Sequence, residues 1–292
     1  MESPPPGVPA SDCLRVVTLN LWGENGPHEH RLAQVAEELG RLRADVILLQ
    51  EVREVPGRLP NQADTLARRL GFHRAFAVGT EWGGGVEGLA VVSRFPIGES
   101  DDHRLPHATA TEGRIGLSAR LDTARGPLWV HTTHLSYRLH EGVEREDQIQ
   151  AMHAEVAARA AVTDLPQILG GDFNTAPEAD EIRWLKGMTT LRGRRVYYQD
   201  AWAAVHPAEP GITWARQNPF RARMNWLPDD RRIDYIFVTA ARRDGRGVVR
   251  DARVVFDRPD ADGVFPSDHF GVLADVQVVA TAAPRPGDGV KP

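Results

Sequence analysis

Asp45-Val46-Ile47-Leu48-Leu49-Gln50-Glu51 decides how the chain is read. Its four consecutive apolar side chains are too few for a helix. A continuous run of that length fits a strand covered on both faces, and this one stops at an amide and a carboxylate. Before it, Leu32, Val35, Ala36, Leu39 and Leu42 keep helical spacing, and residues 14–19 form an earlier apolar, β-branched run that stops at Asn20. After it, Leu66, Ala67 and Leu70 lie on one face of a second helix, closed by Gly71 as a C-terminal glycine cap. Further strands are expected at 72–78, 89–93, 115–121, 128–133, 167–169, 233–238, 248–256 and 272–279. Ile149, Met152, Val156 and Ala160 form one face of a long helix. Strand-rich ends with helices interspersed point to an α/β fold: two sheets packed face to face with helices outside.

The chain has 292 residues, of which 41% are hydrophobic, so there is material for one large α/β domain or two small ones. No repeat or internal linker breaks the body, and residues 12–280 are read as one domain. Residues 1–11 and 281–292 are Pro-rich or Pro/Gly-rich and read as disordered segments. With 35 basic and 40 acidic residues the formal charge is −5. A protein that lives on a nucleic-acid backbone usually carries a basic excess, so net charge does not favour nucleic acid as the partner. Cys13 is the single cysteine, which excludes an intrachain disulfide and a Cys-based zinc site. No run has the make-up of a secretory signal or a transmembrane segment, which makes the cytoplasm the expected location. Nothing in the sequence speaks to oligomeric state.

The chemistry collects where apolar runs stop: at Asn20, Glu51, His134, Asp172 with Asn174, and Asp268 with His269. Rigid strands position what the adjoining loops present. Carboxylates and amides suit Mg²⁺, Mn²⁺ or Ca²⁺ rather than a thiolate-bound metal. Singly, each residue also reads as a turn former or a cap. Asp172 and Asn174, two apart, fit paired action from one side of an extended segment, and equally an Asx turn. All five places in one order are a stronger signal than any one of them. No Gly-x-Ser-x-Gly elbow, His-Glu-x-x-His or Walker-type loop is present. His28-Glu29-His30 reads as a solvated loop before a helix.

The segments Thr18-Leu19-Asn20, Gln50-Glu51-Val52, Glu87-Gly88-Leu89-Ala90-Val91-Val92-Ser93-Arg94, Thr133-His134-Leu135, Gly171-Asp172-Phe173-Asn174, Arg232-Ile233-Asp234-Tyr235-Ile236 and Ser267-Asp268-His269 carry a resemblance. In this order, over nearly the whole body, the chain resembles the endonuclease/exonuclease/phosphatase superfamily. The resemblance implies a four-layer α/β sandwich of two mixed β-sheets. It implies a phosphate-ester substrate, in-line attack of an activated water on phosphorus, and a retained divalent metal, Mg²⁺ or Mn²⁺. By position, Glu51 is the expected main metal ligand with Asn20 beside it. Asp172 and Asn174 would hold the water and the phosphate oxygens, and His269 would bind the phosphoryl group and move a proton. Neighbours in an extended segment point opposite ways, so Asp268 is assigned to the metal side and Asp234, from another strand, to orienting His269. His134 would pair in the same way with Glu87.

Asn20-Leu21-Trp22 and His134 depart from the apurinic-site endonucleases, which carry Asn-x-Asp or Asn-x-Asn and a tyrosine there. The pattern is more similar to deoxyribonucleases, deadenylases, neutral sphingomyelinases and inositol polyphosphate phosphatases. The resulting expectation is a divalent-metal-dependent phosphodiesterase or phosphomonoesterase. The alternatives are a nuclease acting on DNA or RNA, and an inactive binding module of the same fold. Candidate substrate loops are Trp82-Gly83-Gly84-Gly85, Tyr137-Arg138-Leu139-His140, residues 192–195, and residues 216–226 with Trp214, Phe220 and Trp226. Arg145 and Gln148 are expected to be a surface pair on the long helix.

Overall fold

The computed structural model describes residues 12–109, 111–163, 165–221 and 229–280. The terminal segments read above as disordered lie outside them, as does Trp226. Twelve strands and five α-helices are described: β1 (Cys13–Asn20), α1 (His28–Leu42), β2 (Val46–Glu54), α2 (Gln62–Leu70), β3 (His73–Trp82), β4 (Gly85–Ser93), β5 (Ile97–Arg104), β6 (Ile115–Thr123), β7 (Gly126–His134), α3 (Gly142–Arg159), β8 (Ile168–Asp172), α4 (Asp180–Leu185), β9 (Tyr198–Asp200), α5 (Ala201–Val205), β10 (Asp234–Thr239), β11 (Val249–Val255) and β12 (Gly271–Gln277).

They form two six-stranded mixed sheets, ordered β11-β12-β1-β2-β4-β3 and β5-β6-β7-β8-β10-β9. Each sheet has one parallel pair, β1 with β2 and β7 with β8, and the remaining neighbours are antiparallel. The parallel pairs need crossovers, and α1 and α3 supply them. The run at 46–49 shows why it has no alternation of polarity. Val46 and Leu48 point into the core between the sheets, against Leu117, Val130 and Ile236. Ile47 and Leu49 point outward under α1 and α2. On the second sheet's outer face, Ile149, Met152 and Val156 of α3 and Trp184 of α4 cover Leu169, Phe173 and Phe237. Helix, sheet, sheet and helix make four layers.

Register sets up the site. Asn20 of β1 lies opposite Gln50 of β2. His134 of β7 lies opposite Asp172 of β8, which lies opposite Asp234 of β10. The two rows sit at the same end of the sandwich, and Gln50 ties the sheets together there by donating to Thr18 Oγ1 and Thr132 Oγ1 at 3.2 and 3.0 Å.

The helix at α2 ends as expected. Gly71 takes the left-handed conformation and its N–H reaches the carbonyls of Ala67 and Arg68. Four elements had no sequence signal. β5 reads Ile-Gly-Glu-Ser-Asp-Asp-His-Arg and is largely exposed, as a polar edge strand must be. α4, β9 and α5 are too short for periodicity to show. Ala160 belongs to a 3₁₀ turn after α3 rather than to its apolar face, and His28 to His30 form the first turn of α1 rather than a loop.

Candidate active site

β1 ends at the cleft with Asn20, and β2 presents Glu51 there from an irregularity within the strand. Asn20 Nδ2 donates to Glu51 Oε1 at 3.0 Å and to Asp172 Oδ2 at 3.1 Å, joining the two sheets through one amide. Its Oδ1 accepts the Trp22 N–H at 2.9 Å. Asn20 therefore holds two carboxylates in place, with its amide nitrogen turned towards them and its oxygen on the Trp22 N–H. Glu51 adopts φ 52° where the β2–β4 register shifts. Such a bulge re-aims a side chain, here towards the cleft. Trp22 and Asn174 also have left-handed φ, at 57° and 54°. Backbone strain of this kind is held in place only by surrounding structure.

On the second sheet, Asp172 Oδ2 lies 3.3 Å from His134 Nε2 and 3.7 Å from His269 Nε2. His269 Nδ1 lies 3.0 Å from Asp234 Oδ2, so the carboxylate partner of His269 is the one expected. The partner of His134 is not. His134 faces Asp172, whereas Glu87 is bonded by Trp82 and lies near Glu51. Asn174 N–H donates to Asp172 Oδ1 at 2.9 Å, an Asx turn, and its side-chain nitrogen donates to the Leu135 carbonyl at 3.0 Å. Of the two readings left open for this pair, the turn is the one observed.

A cleft of about 550 Å³ opens here, lined by Glu51, Glu87, His134, Asp172, Asn174, Asp268 and His269 among others. Asn20 and Asp234 stand immediately behind it. Both Asp268 and His269 reach the cleft from an irregular segment, 267–270, rather than from opposite faces of a strand.

Electrostatics divide the site. Burial disfavours a charged His269, but the carboxylates of Asp234, Asp172 and Asp268 outweigh it and hold the ring protonated, well above its ordinary value. Burial likewise opposes the Asp172 charge, yet His269 and His134 keep it ionised below the usual carboxylate range. On the other side, burial and then the charge of Glu51 push Glu87 to about 7. Burial also raises Asp268 to about 7, with Glu51 adding to it while His269 and Arg31 oppose. Glu51, Glu87 and Asp268 thus line the cleft as carboxylates that raise one another against nearby cations, and oxygen donors of this kind suit Mg²⁺ or Mn²⁺. Asp172, Asp234 and His269 also offer ligand atoms within 4.8 Å of one another. There an imidazolium already lies between the two carboxylates, so that trio reads as an ion-paired acid rather than a cation site.

Several supporting residues escaped the sequence reading. Arg31 is buried and donates to the carbonyls of Leu21, Gly23, Asn25 and Pro266 at 2.8–3.1 Å. Burial lowers its pKa to about 10. It sutures the loop after Asn20 to the loop before Asp268. Its signal was available, because Arg31 stands four and eight residues before Val35 and Leu39, on the buried face of α1. Ser267 Oγ donates to the Asn20 carbonyl at 2.6 Å and accepts from His269 N–H. Arg145 and Gln148 are buried rather than on the surface. Arg145 binds Glu181 at 2.7 Å and the carbonyls of Ser136 and Arg138, and Gln148 binds Ser136 and the Pro106 carbonyl. Together they fix the loop after His134. Of the candidate substrate loops, Tyr137, Arg138, Leu139 and Trp214 line the cleft, whereas residues 192–195 do not.

The Endonuclease/Exonuclease/phosphatase family model matches residues 17–269. An uncharacterized protein of Caenorhabditis elegans is 25% identical over 91% of either chain. The inositol phosphosphingolipids phospholipase C of Schizosaccharomyces pombe is 26% identical over 89% of this chain and 67% of its own length. Among solved structures, D. rerio TDP2 complexed with a single-strand DNA product superimposes with TM-score 0.71 at 20% identity, covering 91% of this chain and 99% of that one. No described helix is long and apolar enough to cross a membrane.

Proposed function

The chain belongs to the endonuclease/exonuclease/phosphatase family, and from that premise we propose that it hydrolyses phosphate esters with a divalent metal and an activated water. The observation that carries this reading is the geometry of one cleft: Asp172 lies 3.3 Å from His134 and 3.7 Å from His269, His269 lies 3.0 Å from Asp234, and Glu51, Glu87 and Asp268 line the same cleft.

Glu51 and Asp268 would hold the cation, with Asn20 fixing Glu51. A divalent ion bound there supplies charge stabilisation to the phosphoryl oxygens. Asp172 accepts a hydrogen bond from the attacking water, and Asn174 steadies the Asp172 carboxylate through its backbone N–H. The water oxygen forms a new bond to phosphorus as the bond to the leaving oxygen breaks in line. The water gives up a proton and the leaving oxygen takes one. His269, held charged by Asp234, stabilises the negative charge gathering on phosphorus-bound oxygens and takes part in that proton movement. His134, on the other side of Asp172, keeps the same carboxylate ionised. Glu87 borders the cation group rather than acting on His134.

The related phospholipase acts on inositol phosphosphingolipids and the TDP2 relative holds single-strand DNA, so both substrate classes belong in the test. Purified protein is assayed on bis-p-nitrophenyl phosphate, p-nitrophenyl phosphate, single-strand DNA and phospholipid vesicles. Turnover with Mg²⁺ or Mn²⁺ that EDTA abolishes is expected. Metal-independent turnover contradicts the mechanism, and the absence of turnover on every ester favours an inactive binding module.

A further inference from the structure

Three arginines line the cleft, and two are already neutralised. Arg114 binds Glu112 at 3.1 Å, and Arg138 binds Glu112 and Glu141 at 2.6 and 2.8 Å. Arg231 differs. It is half-buried and lines the cleft, and among the described residues its guanidinium has no hydrogen-bond or ion-pair partner. Its backbone is fixed. Arg231 N–H donates to the Trp214 carbonyl at 3.0 Å, and its carbonyl accepts from Thr213 and Trp214 at 2.9 Å.

Arg221 stands near it, and Asp230 is paired with Arg216 at 3.3 Å. Arg221 lies over the Trp214 ring at 4.3 Å. Burial lowers the Arg221 pKa; Asp230 opposes it, and the like charges of Arg216 and Arg231 follow as further lowering causes. Trp214 itself is buried and is among the residues lining the cleft. This wall stands on the His269 side, because Thr213 binds the Ile233 and Asp234 N–H groups and its carbonyl accepts from Phe270 N–H. The cleft therefore has a carboxylate-rich end at Glu51 and a cationic, aromatic wall beyond His269.

Resting on the phosphoesterase reading above, we propose that Arg231, beside Trp214, receives a second anionic group of the substrate, so that the natural ester carries a phosphate or similar anion in addition to the phosphoryl group that is attacked. A guanidinium on a fixed backbone, with no carboxylate partner among the described residues, is preorganised for a phosphate in a bidentate contact. Charge-assisted contacts of this kind are worth about tenfold or more in binding.

The test uses a matched pair of esters, thymidine 5′-(p-nitrophenyl phosphate) and the same compound with a 3′-phosphate. The readout is the ratio of their kcat/KM values. The wild-type protein is expected to prefer the doubly charged ester by about tenfold or more. Arg231→Ala is expected to bring the ratio close to one, and Arg231→Lys to retain part of it. Arg183→Ala, an exposed arginine on α4 outside the cleft, keeps the wild-type ratio. Equal kcat/KM for the two esters in the wild type, or an unchanged preference in Arg231→Ala, overturns the assignment while leaving the phosphoesterase reading in place. Hydrolysis of neither ester in the presence of Mn²⁺ overturns that reading and this inference with it.

Discussion

His131 stands three residues before His134 on β7 and titrates by a different logic from His269. It is fully buried between Ser118 Oγ at 2.8 Å and Gln167 Oε1 at 3.0 Å. Burial, opposed only by the Gln167 bond, lowers its pKa from 6.5 to about 3. The unfolded chain therefore takes up the proton first as pH falls. The contribution to stability is whole above about 6.5 and is lost between there and about 3. Urea denaturation of wild type and His131→Gln at pH 7.5 and 5 checks this: the wild type should lose more stability on acidification than the variant. Equal losses contradict it. His269 has the opposite sign. Its raised pKa means that its ion-pair contribution is present below the unfolded value and fades as pH climbs through the folded one. At this scale the sequence showed the chemistry-bearing residues well, because Glu51, Asp172 and His269 each follow an apolar run. For Arg31 it showed only the place on the buried face of α1, and not the partner carbonyl at Pro266, 235 residues away.

Whole elements carry the precision of the site. α3 covers an apolar core with one face and, through Arg145 and Gln148, pins the loop that follows His134. From spacing alone these two residues looked like a surface pair, because nothing local indicates that Glu181 of α4 will meet Arg145. Removing one partner of a buried ion pair strands the other. Arg145→Met is therefore expected to cost about 3–5 kcal/mol in chemical denaturation and to lower kcat/KM by displacing the 135–138 loop. A loss under about 1 kcal/mol, the range of an exposed pair, contradicts the role. β8 runs close against β7. A Cβ on Gly171 would stand 2.0 Å from the Thr133 carbonyl, and its φ is +154°. Gly171→Ala should destabilise by more than about 1 kcal/mol, checked by the same unfolding curves. This close approach between strands is the reason for a glycine at 171. Strand β5 shows the opposite limit, since an exposed polar edge has no pattern to read.

At the scale of the molecule, two sheets contribute unequal halves to one cleft. The first brings Glu51 and, through its suture with the 266–269 loop, Asp268. The second brings His134, Asp172 and Asp234. The alternation of strands and helices, with the ordered motifs, was enough for the sandwich and the family. The pairing of His134 with Asp172, and the inward amide nitrogen of Asn20, depend on register and on side-chain geometry that exist only once the sheets meet. Because carboxylates collect at the cation end, Mg²⁺ or Mn²⁺ should raise the thermal midpoint, by mass action about 2.7 kcal/mol at a hundred times Kd. Glu51→Gln should shrink that shift in differential scanning fluorimetry, and an unchanged titration counts against Glu51 as a ligand. The central claim is that His269 acts on phosphorus from this cleft. Its most direct test is the rate of bis-p-nitrophenyl phosphate hydrolysis with Mn²⁺ by wild type and by His269→Ala, with circular dichroism showing that the variant is folded. The account predicts a fall of at least about a hundredfold; a folded variant that keeps a rate near wild type contradicts it.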